Sequence, residues 1–557
     1  MGAPSRFSIV DSNSLHTIAS RQLFDLVVVG GGITGAGVAR DAVLRGMTVL
    51  LLERGDIAQG TSSRSSRLIH GGLRYLEKLK LGLVHESVSE RWHLMKAAPH
   101  LARPLPFLFP AYEGQSPGLA TLNAGTLVYS MLSAFRTPGS RSTLSPSQAQ
   151  TRAPGLRGMA LTGGARYFDC ATDDARLTLE VTLDAVQSGA VVLPCNEVVD
   201  IAADGAGAAL QIRHASSGTT WTARGRLVVL ALGPWTDGLL GKAVPSTPRW
   251  LRPTKGVHLV VRRDRLPILD ALVMKTQPDH RVIFAIPWGT HTYVGTTDTD
   301  YPNPAAEPTV EAADARYLLD CVNHYFPDAH LGVGDVVSVW AGLRPLVAPE
   351  DEVDPTAPVN PSDVSREEKI ELYDDRFLAV AGGKLTTWRL MAERVTDRAA
   401  GALERRCDLR FRPCSTQTRP LPGGTGSDPA ALTAEFNDLP ADWVTASVDR
   451  LGSRAVQLFD MAREDRSLLE PLPGTAPLRL ADVHFSVLHE HASTVEDLLT
   501  RRTQVYYKAD DQGAAAAPVV AEVLRSLGAV PAERASAMVT AYLDGLREWK
   551  ARLSQAL

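Results

Sequence analysis

Gly30-Gly31-Gly32-Ile33-Thr34-Gly35 follows the pattern G-x-G-x-x-G, and Glu53 stands 18 residues beyond the last of these glycines. Glycines so spaced let a chain turn tightly, bring bare backbone up to a pyrophosphate and pack a helix close against a strand. An acid at that distance accepts hydrogen bonds from ribose hydroxyls. The pattern carries weight only between a strand and a helix. Asp25-Leu-Val-Val-Val-Gly30 reads as a buried strand, Gly35 to Arg45 as a helix with Val38, Ala42 and Val43 inward, and Met47 to Leu52 as a second strand. Gly30, Gly32, Thr34, Gly35 and Glu53 are therefore expected to hold a dinucleotide, and the motif alone leaves NAD and FAD open. Other chemistries lack their signatures. His489-Glu490-His491 misses the H-E-x-x-H spacing, so no metal is expected, and no G-x-S-x-G elbow is present. The five cysteines (Cys170, Cys195, Cys321, Cys407 and Cys414) are odd in number with no C-x-x-C, which reads as reduced thiols.

The elements that must carry this motif are legible in outline. The chain has 557 residues, 44% hydrophobic and 22% charged, an ordinary globular mix with material for several cores. Its net charge of −4 argues against a nucleic-acid binder, which needs a basic surplus. A polar loop runs from Thr61 to Arg67, and a helix is expected from Val84 to Ala98. Pro104, Pro106 and Pro110 read as a boundary, and residues 111–165 as an excursion from the core. Asp173 to Gln187 and Met391 to Arg406 read as helices, and Arg226 to Ala231 and Phe377 to Ala381 as strands. Gly256 to Val261, Val282 to Ile286 and Tyr293 to Thr297 have the texture of a second sheet. Pro413 to Asp428 is full of helix and strand breakers and reads as a linker to a separate helical domain. No apolar leader occupies Met1 to Arg21, and no apolar run reaches the roughly 18 residues of a membrane span.

The stretch Thr61-S-S-R-S-S-R-L-I-H-G-G-L-R-Y-L-E77 resembles the flavin-binding segment of the FAD-dependent glycerol-3-phosphate dehydrogenases. So do Asp173-D-A-R-L177, Gly233-P-W235, Lys255-G-V-H258, Ile286-P-W288, Gly295-T-T-D298, Gly342-L-R-P-L346 and Gly382-G-K-L-T-T387. Their order matches that family from about residue 22 to 400, and His489-Glu490 with Glu496 to Thr503 resembles its C-terminal domain. Three neighbours of expected contacts depart from the pattern: Arg67 replaces a lysine, Leu232 a threonine and Val257 a serine. The resemblance implies an α/β fold. A Rossmann-like FAD-binding domain (22–110, 160–255 and 370–405) is interleaved with an α+β substrate or cap domain (111–159 and 256–369). A C-terminal helical domain follows at 428–557.

It also implies a reaction. Glycerol 3-phosphate gives a hydride from C2 to flavin N5 and a proton from its hydroxyl, forming dihydroxyacetone phosphate, and the electrons go on to a membrane quinone. A small dianion needs cations, and Arg74, Arg344 and Lys384 fall in the family motifs, with Tyr75 adding a hydroxyl. Arg344 suits the developing alkoxide, and His258 is expected as the base, the alternative being a histidine that only orients substrate or flavin. Thr61, Ser62, Ser63 and Ser66 offer hydroxyls along the cofactor, with His70 and Gly71 supporting the loop. Gly233 and Trp235 are expected beside the flavin, although Trp235 reads equally well as core. Gly383, Lys384, Leu385 and Thr386 precede a helix whose positive end can face flavin N1 and O2. The same motifs fit an oxidase that reduces oxygen to peroxide, and a bare FAD-binding scaffold is the reading of another class. The localisation implied is cytoplasmic with peripheral membrane contact, a homodimer being left open.

Overall fold

Two sheets share the chain, and the first is built from its most apolar runs. The computed structural model describes residues 7, 12–76, 80–134, 136–277, 279–348, 367–426 and 428–554, and the backbone alone at 12–14, 74 and 75. In the first sheet the strand order is Lys369–Tyr373, Phe377–Ala381, Thr220–Leu230, Leu23–Val29, Val49–Leu52 and Val191–Leu193. The last five run parallel. Parallel neighbours need crossovers and cover on both faces, which explains the unbroken Val-Val-Val and Leu-Leu-Leu runs. Leu26 and Val28 pack with Val38, Ala42, Leu179 and Val395 on one face, from helices Ile33–Leu44, Asp174–Gln187 and Trp388–Cys407. Val27 and Val29 face the other way, toward Ile201, Leu210, Leu240 and Trp250. Because these strands run parallel, their carboxyl ends lie at one edge, where the glycine-rich turn lies.

The second sheet has ten strands, almost all antiparallel, centred on Thr254–Arg262, His291–Gly295, Val282–Trp288, Ala271–Lys275, Arg103–Tyr112 and Leu161–Ala171. Val336–Arg344 pairs with Thr254–Arg262 and places Trp340 beside His258 and Arg344 beside Thr254. Helix Ala312–Tyr325 covers one face through Ala315, Leu318 and Val322. The other face is aromatic, with Phe107, Tyr167, Tyr293 and Trp340.

The expected boundaries at 110 and 160 differ from this pairing. Arg103–Tyr112 and Leu161–Ala171 pair along their whole length inside the second sheet. Pro104, Pro106 and Pro110 do not break the strand, because they alternate. All three missing N–H groups fall on one edge, and the ladder to Leu161–Ala171 survives.

The described residues of 413–428 form a strap rather than a free linker. Arg419 pairs with Asp184 at 2.8 Å, Leu421 is buried, and its N–H donates to the Ala97 carbonyl. Beyond it the chain is helical, with cores around Trp443 and Phe459 and around Val487 and Leu498. This C-terminal helical domain packs closely on the rest of the chain. Trp549 and Leu553 of helix Ala532–Ser554 join the core of the second sheet, and Asp56 accepts hydrogen bonds from Arg501 and Arg502. Among the described residues no helix is long and apolar enough to cross a membrane.

Candidate active site

A cleft of about 710 Å³ opens at the carboxyl ends of the parallel strands. Gly30 forms its floor with φ +112°, a conformation that L side chains avoid, and a Cβ there would strike the Ala231 carbonyl. Gly35 lines no part of it but lies against the Gly30 carbonyl, so helix and strand meet without a side chain between them. At the start of helix Ile33–Leu44 the Ile33 N–H donates to Ser62 Oγ at 2.9 Å, and Gly32 and Thr34 line the cleft beside it. Glu53 lines the same cleft, its carboxylate held by the N–H groups of Gly31 (2.6 Å) and Gly55 (2.9 Å). Burial pushes its pKa up, against the pull of those two donors. A glycine cradle, a helix amino end and a fixed acid in one long cleft fit an adenine dinucleotide.

Thr61, Ser62, Gly233 and Trp235 line this cleft, as do Gly383, Lys384 and Leu385 from the opposite wall. The Thr61 hydroxyl is spent on the Leu343 carbonyl (2.7 Å), tying the polar loop to the second sheet. Trp235 donates its indole N–H to Pro304 O at 2.7 Å, and the Arg54 guanidinium lies 4.1 Å from its ring centre. Three expected cofactor residues stand behind the wall. Ser63 is buried and lines neither this cleft nor the alcove beyond it. Gly71 N–H donates to Tyr129 Oη (2.8 Å) and Asp169, in a packed site with no room for a Cβ. Thr386 Oγ1 is occupied by both the N–H and the carbonyl of His70. A contiguous motif contains the lining of a site and its backing alike.

An alcove of about 180 Å³ continues the cleft, sharing Thr61, Arg64, Gly383 and Lys384 with it. Ser66, His70, His258, Thr296 and Arg344 complete its wall. The Arg344 guanidinium donates to Asp298 Oδ1 (2.9 Å), Thr296 Oγ1 (3.0 Å) and Thr297 O (3.1 Å), which fixes its plane. His258 Nε2 is hydrogen-bonded to Ser66 Oγ at 2.9 Å, and the imidazole stacks on Trp340 with centroids 4.5 Å apart. Burial first, then Arg344 and Arg67, hold its pKa well below the usual histidine value. The ring is therefore neutral at neutral pH. Gly383, Lys384 and Leu385 lead into helix Trp388–Cys407, whose positive end faces the junction of cleft and alcove. The side chains of Arg74 and Tyr75, expected on the substrate, lie outside the described residues.

Arg54, Arg64, Thr296, Asp298 and Trp340 were not expected in the site. Arg64 lies within the quoted Thr61–Glu77 stretch, and Thr296 and Asp298 within Gly295-T-T-D298, so the motifs held them without assigning a task. Trp340 carried no signal, because its place follows from strand pairing with His258 across 82 residues.

Residues 25–398 match the family described as FAD dependent oxidoreductase, and residues 414–534 match the C-terminal domain of alpha-glycerophosphate oxidase. The chain is 37% identical over 511 residues to a Mycobacterium tuberculosis protein named glycerol-3-phosphate dehydrogenase 2, covering 90% of this chain and 84% of that one. It is 35% identical over 502 residues to the aerobic glycerol-3-phosphate dehydrogenase of Staphylococcus saprophyticus, covering 88% of each. The fold is similar to the crystal structure of the glycerol-3-phosphate dehydrogenase from Bacillus halodurans complexed with FAD, with a TM-score of 0.79, 30% identity and 98% of each chain covered.

Proposed function

From the premise that the chain belongs to the FAD-dependent glycerol-3-phosphate dehydrogenase family, we propose that its alcove oxidises sn-glycerol 3-phosphate to dihydroxyacetone phosphate and that a membrane quinone takes the electrons. Bound FAD supplies a two-electron acceptor for the C2 hydride. The observation that carries the substrate is the alcove itself. Arg344 and Lys384 line it together with a neutral imidazole at the flavin end of the cleft. Lys384, with Arg74 from the helical turn Leu73–Leu76, attracts the phosphate dianion. Arg344, held flat by Asp298 and Thr296, lies against the hydroxyl that becomes an alkoxide. His258 takes the hydroxyl proton, its ring held by the Ser66 hydroxyl on one side and Trp340 on the other. A dianion in the alcove raises the imidazole's proton affinity when it is needed.

The proposal is tested on anaerobic holoenzyme. Glycerol 3-phosphate should bleach the flavin absorbance within the mixing time, and glycerol at the same concentration should leave most of it. Equal bleaching by both would remove the phosphate from the recognition scheme. With air and no added quinone, stoichiometric peroxide would make the protein an oxidase, while turnover that depends on added quinone supports the acceptor proposed.

A further inference from the structure

Arg67 lines neither the cleft nor the alcove, is only 3% exposed, and sits one residue from the serine that holds His258. Its guanidinium carbon lies 4.5 Å from the ring centre of Trp288, 5.0 Å from Trp340 and 4.4 Å from Tyr507. Its carboxylate neighbour Asp174 stands 3.8 Å away and already accepts from Ser65 N–H and Oγ. Among the described residues Nε and Nη1 have no hydrogen-bond partner. Three aromatic faces thus take much of the place of water around this charge. Trp340, one wall of the cage, is the ring on which His258 stacks.

The third wall comes from the far end of the chain. Tyr507 lies in the helical turn Val505–Lys508. That turn is pinned to strand Val336–Arg344, because Ser338 Oγ donates to Tyr507 O (3.0 Å) and Tyr506 Oη to Val339 O (3.2 Å). The C-terminal helices therefore close a cage directly behind the alcove.

We propose that Arg67 is a positioning residue for His258: a fixed cation, caged by Trp288, Trp340 and the C-terminal Tyr507, that keeps the imidazole unprotonated until substrate gives up its proton. This rests on the reading of His258 as the proton acceptor. Other groups also face the imidazole. Ser66 holds Nε2, Arg344 lies on the neighbouring strand, and His70 and Lys384 stand across the alcove. Tyr293, 6.2 Å away ring to ring, stays protonated and donates to Ser66 O. Asp298 is taken by Arg344, Asp174 lies behind Arg67, and Lys508 rests on Trp288, 4.3 Å from its ring centre. Arg344 and Lys384 line the alcove, so a phosphate dianion compensates their charge. Arg67 does not line it, and its field persists through substrate binding.

The test uses holoenzyme labelled with nitrogen-15 at histidine, with His258→Asn identifying the His258 signals. Arg67→Met removes the charge at similar volume, and Arg67→Lys keeps it. The His258 midpoint should rise on the order of one pH unit in Arg67→Met and stay within a few tenths in Arg67→Lys. Tyr507→Ala, which admits water to the cage and leaves Arg67 in place, should raise it by a smaller amount. In anaerobic stopped flow the acid limb of flavin reduction should move with the midpoint, slowing reduction below it with little change in substrate affinity. A midpoint within about 0.3 unit of wild type in Arg67→Met overturns the proposal. Should Arg67→Met not fold, an unchanged midpoint in Tyr507→Ala overturns it instead. A midpoint that moves while the pH–rate profile stays still overturns the base assignment of His258, on which the proposal rests.

Discussion

A single added side chain measures how closely the glycine turn is fitted to its ligand. A Cβ on Gly32 would stand 3.2 Å from Ser62 Oγ, the hydroxyl that already caps Ile33 N–H. The branches of a valine at this position displace that cap and fill the space over the helix amino end. Gly32→Val should therefore purify with most of its flavin lost, as read from the ratio of flavin to protein absorbance. Full yellow colour in this variant would place the pyrophosphate elsewhere. The alcove gives a kinetic counterpart. Arg344→Ala should slow flavin reduction about 10²–10³-fold, and His258→Ala about 10²–10⁴-fold. In both, substrate affinity should fall less than the rate, because both groups act on charge that develops during the reaction. These residues were legible because their motifs are short and local. Gly30, Gly32, Thr34 and Glu53 all came to the cleft. Arg67 was read only as a departure from a pattern, because its cage is assembled from Trp288, Trp340 and Tyr507, which no local spacing connects.

Between elements, ions bind the C-terminal helices to the loop under the dinucleotide cleft. Asp56 accepts from Arg501 Nε (2.6 Å) and from Arg502 Nη1 and Nη2 (2.8 and 2.7 Å). Glu490 pairs with Arg176 and with Arg454. Every one of these side chains is nearly inaccessible, and Asp56 follows the Gly55 N–H that holds Glu53. Asp56→Ala leaves two guanidinium groups buried without their shared anion, at a cost of about 3–5 kcal/mol. A lower melting temperature accompanied by flavin loss is expected, and wild-type values for both would show the contact to be idle. The arginines hold the Asp56 and Glu490 carboxyls down at about 2. Their contribution is present above the ordinary carboxylate range and is lost as pH falls from there toward 2. None of this was readable in advance. The helix-rich texture of 428–557 was, but Arg501 and Asp56 lie 445 residues apart, so the texture suggested a separate body. Likewise the breakers of 413–428 marked a chain without regular structure, and such a chain can still be strapped down by Arg419 and Leu421.

At the scale of the whole molecule, acid and lipid are the two perturbations its charge pattern addresses. His100 and His491 are held down to about 3 and about 4, chiefly by burial, and His258 is lowered as well. Each stabilises the fold as a neutral ring. That contribution is whole above about pH 6.5 and shrinks as pH falls toward the folded values. Replacing both rings, His100→Asn with His491→Asn, should therefore flatten the change of melting temperature between pH 6.5 and 4 relative to wild type, against the opposite contribution of Asp174, which burial pushes up to about 6; an unchanged profile in the variant would contradict the neutral histidines. The proposed contact with lipid turns on a different surface. The C-terminal part from 428 carries 13 Lys and Arg against 19 Asp and Glu, a poor match for anionic headgroups. The candidate for that contact is an apolar face over the second sheet. Helix Leu119–Leu132 has no charged residue in 14 positions. It is anchored inward by Leu122 and Tyr129 and exposes Val128 (42%) and Met131 (53%). Arg136 and Arg141 stand exposed beyond its end, basic residues of the kind that meet lipid phosphates at an interface. The quinone acceptor proposed above would require the enzyme to reach the bilayer surface, and a charge-free outer face is the one with least to lose by dehydration. Val128→Glu with Met131→Glu forfeits the transfer of two half-exposed apolar side chains, about 1.5–3 kcal/mol. The double variant should bind lipid vesicles roughly ten- to a hundredfold less well than wild type in flotation. Anaerobic flavin bleaching by glycerol 3-phosphate should be unaltered, since neither residue lines the cleft or the alcove. Wild-type enzyme should leave membranes with mild detergent sooner than with salt. Flotation of the double variant equal to wild type would acquit this helix, and complete release by salt alone would assign the contact to basic residues instead.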